Sequence, residues 1–150
     1  HILGGVSQES CNRVIQFYND FSLCVSKSFV TMTPQEASFV KYAINSYLGM
    51  KVTFFNQLHD AALDFGCSPQ RIINGVSADK RIGYSHTRVP GFDGKKGFGG
   101  ACLPKDMNAF VKFNQDLTLI AESVKINNKM REEYELDERE KNNNIKFEDK

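Results

Sequence analysis

No stretch of this 150-residue chain approaches the ~20 consecutive apolar residues that a bilayer-spanning helix needs, so no membrane partner is expected. Charge of one sign is not in excess either. Lys and Arg total 19 and Asp and Glu 18, for a net charge of +1. A basic footprint for nucleic acid is therefore missing. The four cysteines, Cys11, Cys24, Cys67 and Cys102, form no Cys-x-x-Cys pair. No His/Cys cluster has zinc spacing, so no metal is expected. The cysteines read as reduced thiols of a cytoplasmic protein. No Gly-x-Gly-x-x-Gly opens a strand–helix unit, and no internal repeat is visible. No signal peptide is legible. The first residue is His rather than Met, and the chain reads as an excised piece of a longer protein.

What is present is mainly helical pattern, in an amount that suits one domain with a core of ordinary size. The run Ile2-Leu3-Gly4-Gly5 reads as the tail of a strand. Ser7 to Phe21 predicts a short amphipathic helix, with Val14, Phe17, Tyr18 and Phe21 at helical spacing. Val25 to Met32 is a candidate second strand. Thr33-Pro34-Gln35-Glu36 is a helix start: Thr33 can cap, Pro34 fits the first turn, and Glu36 completes a capping box. Apolar residues recur at helical spacing from Phe39 to Phe65. They predict one long helix with a glycine stop at Gly66. Gly49, near its centre, weakens it by about 1 kcal/mol relative to Ala unless close packing requires it. Ser68-Pro69 starts a short helix to about Val76. Residues 83–101 hold six glycines and Pro90 and form a loop long enough to suggest function. Helices are expected from Pro104 to about Phe113, and from near Asp116 past Glu135. The polar end, 142–150, is expected to fray.

Chemistry concentrates in Gly97-Phe98-Gly99-Gly100-Ala101-Cys102-Leu103-Pro104-Lys105-Asp106. A glycine-rich turn hands over to a helix, with Cys102 at the junction. Free N–H groups and the partial positive charge of a helix start favour a thiolate. Lys105 adds a cation, so Cys102 is a candidate nucleophile. The plainer reading is an inert cysteine after a glycine loop. Asp106, one turn on, can complement the helix dipole, and it opposes the effect of Lys105 on the thiol. Lys41 and Asn45 are four apart and share a helix face. A solvated face is the plain account of such a pair; a cation and an amide that hold an oxyanion or a water are the chemical one. His59, beside Asp60, reads as structural, and no catalytic role is expected for His86. Lys95 and Lys96 are either phosphate contacts or a solvated loop tip.

The segment GFGGACLPKD resembles the nucleophile loop of the UDP-glucose/GDP-mannose dehydrogenase family. Two other segments carry the likeness. Lys41-Tyr-Ala-Ile-Asn45 resembles the family's Lys-x-x-x-Asn helix, and Asp79-Lys80-Arg81-Ile82-Gly83 its Asp-x-Arg-Ile element. The three stand in the family's order and together cover about residues 33–130. Ser38 departs from the pattern, because the family usually has Glu three residues before the Lys.

The resemblance implies a mainly α chain. Residues 1–32 would be the end of an N-terminal dinucleotide-binding domain, 33–141 the helical central domain for dimerisation and substrate, and 142–150 a polar tail. It implies NAD as cofactor, a nucleotide-sugar as substrate, a homodimer built on the long helix, and a place in polysaccharide biosynthesis. Cys102 would be the covalent nucleophile of a two-step oxidation, forming first a thiohemiacetal and then a thioester. Lys41 and Asn45 would line the sugar site, with Lys41 stabilising the oxyanion, and Asp106 would activate water. Arg81 would reach the nucleotide-sugar across the dimer, with Lys105 a further contact. Phe98 and Gly99 would wrap it, the loop's backbone N–H groups holding phosphate. The family's upstream catalytic Glu and Thr are absent from this chain, and because the dinucleotide-binding fold is missing the piece alone is expected to be inactive. Arg81-Ile82-Gly83 is closer to the UDP-glucose branch, whereas Val89-Pro90-Gly91 is similar to the GDP-mannose branch. UDP-glucose is the favoured substrate, with GDP-mannose or UDP-N-acetylmannosamine as alternatives. An inactive helical dimerisation module is the reading of another class.

Overall fold

The computed structural model describes residues 1–25 and 27–148. The expected second strand includes residue 26 and the expected tail includes 149–150, and these positions lie outside the described residues. The elements run β1 (Ile2–Gly4), α1 (Gln8–Phe21), β2 (Val30–Met32), α2 (Pro34–Asp64), α3 (Pro69–Ser77), α4 (Cys102–Phe113), α5 (Thr118–Arg131) and α6 (Glu138–Asn142). They form two compact units, His1–Ile44 and Asn45–Lys150. The division falls inside α2. Among the described residues no helix is long and apolar enough to cross a membrane.

In the first unit β1 and β2 pair in parallel, with Leu3 opposite Thr31, joined through α1. Ser7 caps α1: it accepts from the Ser10 N–H at 3.1 Å, and its own N–H donates to Ser10 Oγ. The start of α2 is the box read from the sequence. Thr33 N–H donates to Glu36 Oε2 at 2.8 Å, and Glu36 N–H donates to Thr33 Oγ1 at 3.3 Å. This first turn packs on the end of β1 so closely that a Cβ on Gly4 would lie 2.7 Å from Ala37 Cβ. That packing places the beginning of α2 in the first unit.

The second unit is helical. Its core holds Phe55, Ala62, Ile73, Phe98, Met107, Phe110, Ile120 and Val124. Gly66 stops α2 at φ +68°, a left-handed conformation that favours glycine. Gly49 is buried because α4 lies against it: a Cβ there would meet Met107 Sδ at 2.1 Å. Two expectations are corrected. The last long helix ends at Arg131 and does not run past Glu135. The end is not a fraying tail as far as it is described: Asp137 and Glu140 build a capping box for α6, and Ile145 and Phe147 are buried. Phe147 lies against the Arg131 guanidinium, 5.3 Å from its ring centroid.

Candidate active site

The loop before α4 turns at Gly97 (φ +73°) and Gly100 (φ +74°), and Cys102 follows as the first helical residue, with an exposed side chain. Ala101, at the N-cap position, offers no side-chain acceptor. The positive end of α4 is thus left without a capping side chain beside the thiol. Pro104 is tolerated within the first turn, where N–H groups have no partner inside the helix.

Asp106 lies one turn further and is fully buried. Its Oδ2 accepts from Asn45 Nδ2 at 2.6 Å, and Lys105 Nζ stands 3.7 Å from its Oδ1. Asn45, Cys102, Lys105 and Asp106 are therefore grouped within the second unit. Lys105 faces the carboxylate, an arrangement in which the two charges screen each other. Lys41 belongs to the first unit. It is exposed, with its ammonium over the Tyr42 ring 5.2 Å from the centroid.

Arg81 projects from the 79–83 turn and is exposed. Its guanidinium donates to Asp79 through Nε and Nη2, the shortest bond being 2.6 Å. The hydrogen bonds from Arg81 hold the Asp79 carboxyl below its usual value and raise the guanidinium. Lys51 pins the same turn by donating to the carbonyls of Ile82 and Gly83. His59 pairs with Asp60 at 3.0 Å, and His86 sits on the exposed loop at φ +60°. Among the described residues no group of three His, Cys, Asp or Glu could hold a metal ion.

The glycine loop departs from expectation. Its N–H groups were expected to hold phosphate, yet three of them are consumed internally. Gly97 N–H donates to Asn56 Oδ1 at 3.1 Å, Phe98 N–H to Asn127 Oδ1 at 2.6 Å, and Gly100 N–H to Glu140 Oε1 at 3.0 Å. Phe98 O accepts from Asn127 Nδ2 at 3.1 Å, and its ring is buried in the core. Phe98 therefore anchors the loop. Nor are Lys95 and Lys96 a solvated tip. Lys95 Nζ donates to the Glu135 carbonyl, and Lys96 Nζ contacts Asp60 Oδ1 at 2.5 Å. Partial burial raises the Asp60 carboxyl, but hydrogen bonds from Lys96 and His59 outweigh it and hold it below its usual value.

Beneath the loop lies an ion-pair network that sequence reasoning missed. Arg131, 1% exposed, donates through Nη2 to Glu140 at 2.6 Å and through Nη1 to Asp93 at 2.7 Å. The local signal was only a charged run from Lys129 to Lys141, which reads as solvated.

Comparison with known proteins bears on this geometry. Residues 35–130 match the model of the UDP-glucose/GDP-mannose dehydrogenase family, central domain. A UDP-glucose 6-dehydrogenase of Rhizobium meliloti is 34% identical over 102 residues, covering 65% of this chain and 22% of that protein. UDP-glucose 6-dehydrogenase YwqF of Bacillus subtilis is 26% identical over 131 residues, covering 85% of this chain and 28% of that protein. The chain thus spans about a quarter of the length of these curated relatives. A solved UDP-glucose dehydrogenase of Pyrobaculum islandicum superposes with a TM-score of 0.70 at 30% identity, over 84% of this chain and 28% of that one. The match takes in most of α2, the 79–83 turn and the glycine loop with Cys102 and Asp106. The chain belongs to the UDP-glucose/GDP-mannose dehydrogenase family, as its central domain.

Proposed function

We propose that this chain is the central part of an NAD-dependent, cytoplasmic, homodimeric dehydrogenase that oxidises UDP-glucose to UDP-glucuronate, with Cys102 as covalent nucleophile. The observation that carries the proposal is an exposed cysteine on the uncapped first turn of α4, one turn before a buried carboxylate held by Asn45. Two hydrides leave the sugar carbon in all, and NAD is the proposed acceptor. The described residues do not fit a dinucleotide site: their sheet has two strands, and the sequence carries no Gly-x-Gly-x-x-Gly. NAD would be bound by sequence this chain does not contain.

The chain's own residues supply the covalent chemistry. The sulfur of Cys102 adds to the carbonyl carbon of the sugar aldehyde, forming a C–S bond and giving the thiol's proton up to the carbonyl oxygen. The aldehyde is thereby held between the two oxidations. Once the adduct is at the thioester level, water adds to the carbonyl carbon, the C–S bond breaks, and the thiol and a carboxylic acid are released. Asp106, oriented by Asn45, is the proposed acceptor of the water's proton. Lys41 stabilises the oxyanion. Arg81, Gly99 and Lys105 are the proposed contacts to the nucleotide-sugar. The experiment is Cys102→Ser in the full-length enzyme, with product and protein followed by mass spectrometry. The acid should no longer form, and no sugar adduct should be found on the protein. Acid formation at the normal rate would refute the covalent reading.

A further inference from the structure

The buried Arg131–Glu140 pair is poorly explained as a device for stability. A buried ion pair recovers its desolvation cost only with good geometry and full hydrogen bonding. Here Arg131 Nε is buried with no hydrogen-bond partner. The pair's position relative to the nucleophile loop accounts for it better. Glu140 Oε1 accepts from both Arg131 Nη2 at 2.6 Å and the Gly100 N–H at 3.0 Å, two residues before Cys102. Glu140 Oε2 accepts from the Asp137 N–H at 2.9 Å, closing the capping box of α6. Arg131 Nη1 reaches Asp93 Oδ2 at 2.7 Å, earlier in the same loop. One carboxylate therefore ties together α5, α6 and the peptide that leads into α4.

The glycines fit this arrangement. A Cβ on Gly99 would lie 2.2 Å from Arg131 Nη2 and 2.3 Å from Glu140 Oε1, and one on Gly97 2.5 Å from Asn127 Oδ1. Such distances exclude a side chain without displacement of a buried polar group. Glycine at these positions lets the ion pair and the amide reach the backbone.

The geometry points to Glu140, held by Arg131, as a positioning residue that sets the direction of the Cys102 thiol by fixing the Gly100 peptide. This inference rests on the proposed role of Cys102 as nucleophile. Its test is Glu140→Gln in the full-length enzyme. A glutamine keeps the shape and one acceptor oxygen, but cannot accept from Gly100, Asp137 and Arg131 together. We expect kcat to fall by roughly 10²-fold, the scale of a displacement of about 1 Å at a reacting group, with KM unchanged within about twofold. Amide hydrogen exchange should quicken across 97–102 and stay unchanged in α5. A merely structural role would instead quicken exchange throughout the unit. Wild-type kcat in the folded variant would overturn the inference, with or without faster loop exchange. If Glu140→Gln does not fold, Gly99→Ala decides: its methyl displaces the pair without removing a charge, and the same loss of kcat is expected. A Gly99→Ala enzyme with wild-type kcat would overturn the inference equally. Failure of the underlying reading shows separately, as full turnover by Cys102→Ser.

Discussion

Gly49→Ala distinguishes local preference from packing. By propensity alone, alanine in a helix interior stabilises by about 1 kcal/mol over glycine. Packing opposes it. The new Cβ would lie 2.1 Å from Met107 Sδ, 3.0 Å from Met107 Cε and 3.5 Å from Phe98 Cε1. Met107 is fully buried and Phe98 is 3% exposed, so neither can swing into solvent. Overpacking of this kind typically costs about 1–3 kcal/mol. The two effects leave the variant less stable by about 0–2 kcal/mol, where propensity predicts a gain. For a chain of 150 residues this lowers the melting temperature by roughly 2–4 °C per kcal/mol. The assay is urea denaturation followed by far-UV circular dichroism, with Met107→Ala as second mutation. In the Met107→Ala background the obstacle is gone, and Gly49→Ala should become stabilising. A variant stabilised by about 1 kcal/mol in the wild-type background would refute the claim that α4 packs directly on Gly49.

Three further outcomes are expected. Lys41→Ala in the full-length enzyme should lower kcat by roughly 10²-fold, the scale of a lost oxyanion donor; unchanged kcat with a raised KM would reduce Lys41 to plain binding. Partial burial raises the Asp93 carboxyl, but hydrogen bonds from Arg131 and the Lys95 N–H outweigh it, so its folded pKa lies below its unfolded one. The stability it contributes is therefore complete above the unfolded value and lost as pH falls through the folded one. The stability gap between wild type and Asp93→Asn should narrow from about pH 4 downward, and a gap constant into strong acid would contradict the Arg131–Asp93 pairing. Tyr47, Phe54 and Leu119 are 59%, 54% and 72% exposed around one apolar hollow of the second unit. Light scattering should give a mass of twice 17.0 kDa for this chain, and a stable monomer at micromolar concentration would remove the dimer proposal.

The parts of the fold legible in the sequence are those fixed by neighbours a few residues apart. Thr33, Pro34 and Glu36 start α2 by bonds that span three residues, and Gly66 ends it by its own φ. The strand–helix–strand opening is equally local. Arg131 was not legible, because its burial depends on Asp93, 38 residues away, and on Glu140, which lies in a run of charges. Ile145 and Phe147 are isolated apolar residues in a polar stretch, so no periodicity announces their burial. At the site, the spacing of Cys102 and Asp106 placed both in the first turns of α4. The pairing of Asp106 with Asn45 spans 61 residues and was visible only in the fold. The glycines were legible as glycines, but not for their reason: composition cannot tell a loop that holds a phosphate from one that admits a buried ion pair.

That distinction changes the electrostatics of the site. A phosphate-holding loop would direct Gly97, Phe98 and Gly100 N–H groups at the ligand, whereas here they are spent on Asn56, Asn127 and Glu140. Lys105, the nearest cation in sequence to Cys102, stands 3.7 Å from the Asp106 carboxylate, its side chain 54% exposed against 2% for Asp106, so its charge is partly offset by the carboxylate and screened by solvent. What remains at the start of α4 is the partial positive charge of its uncapped first turn. That partial charge and the free N–H groups of the turn can orient a thiolate and stabilise the oxyanion of its adduct. The carboxylate that would take the water's proton is held by Asn45. Sulfur addition and acid release are thus proposed for consecutive turns of α4, at Cys102 and Asp106.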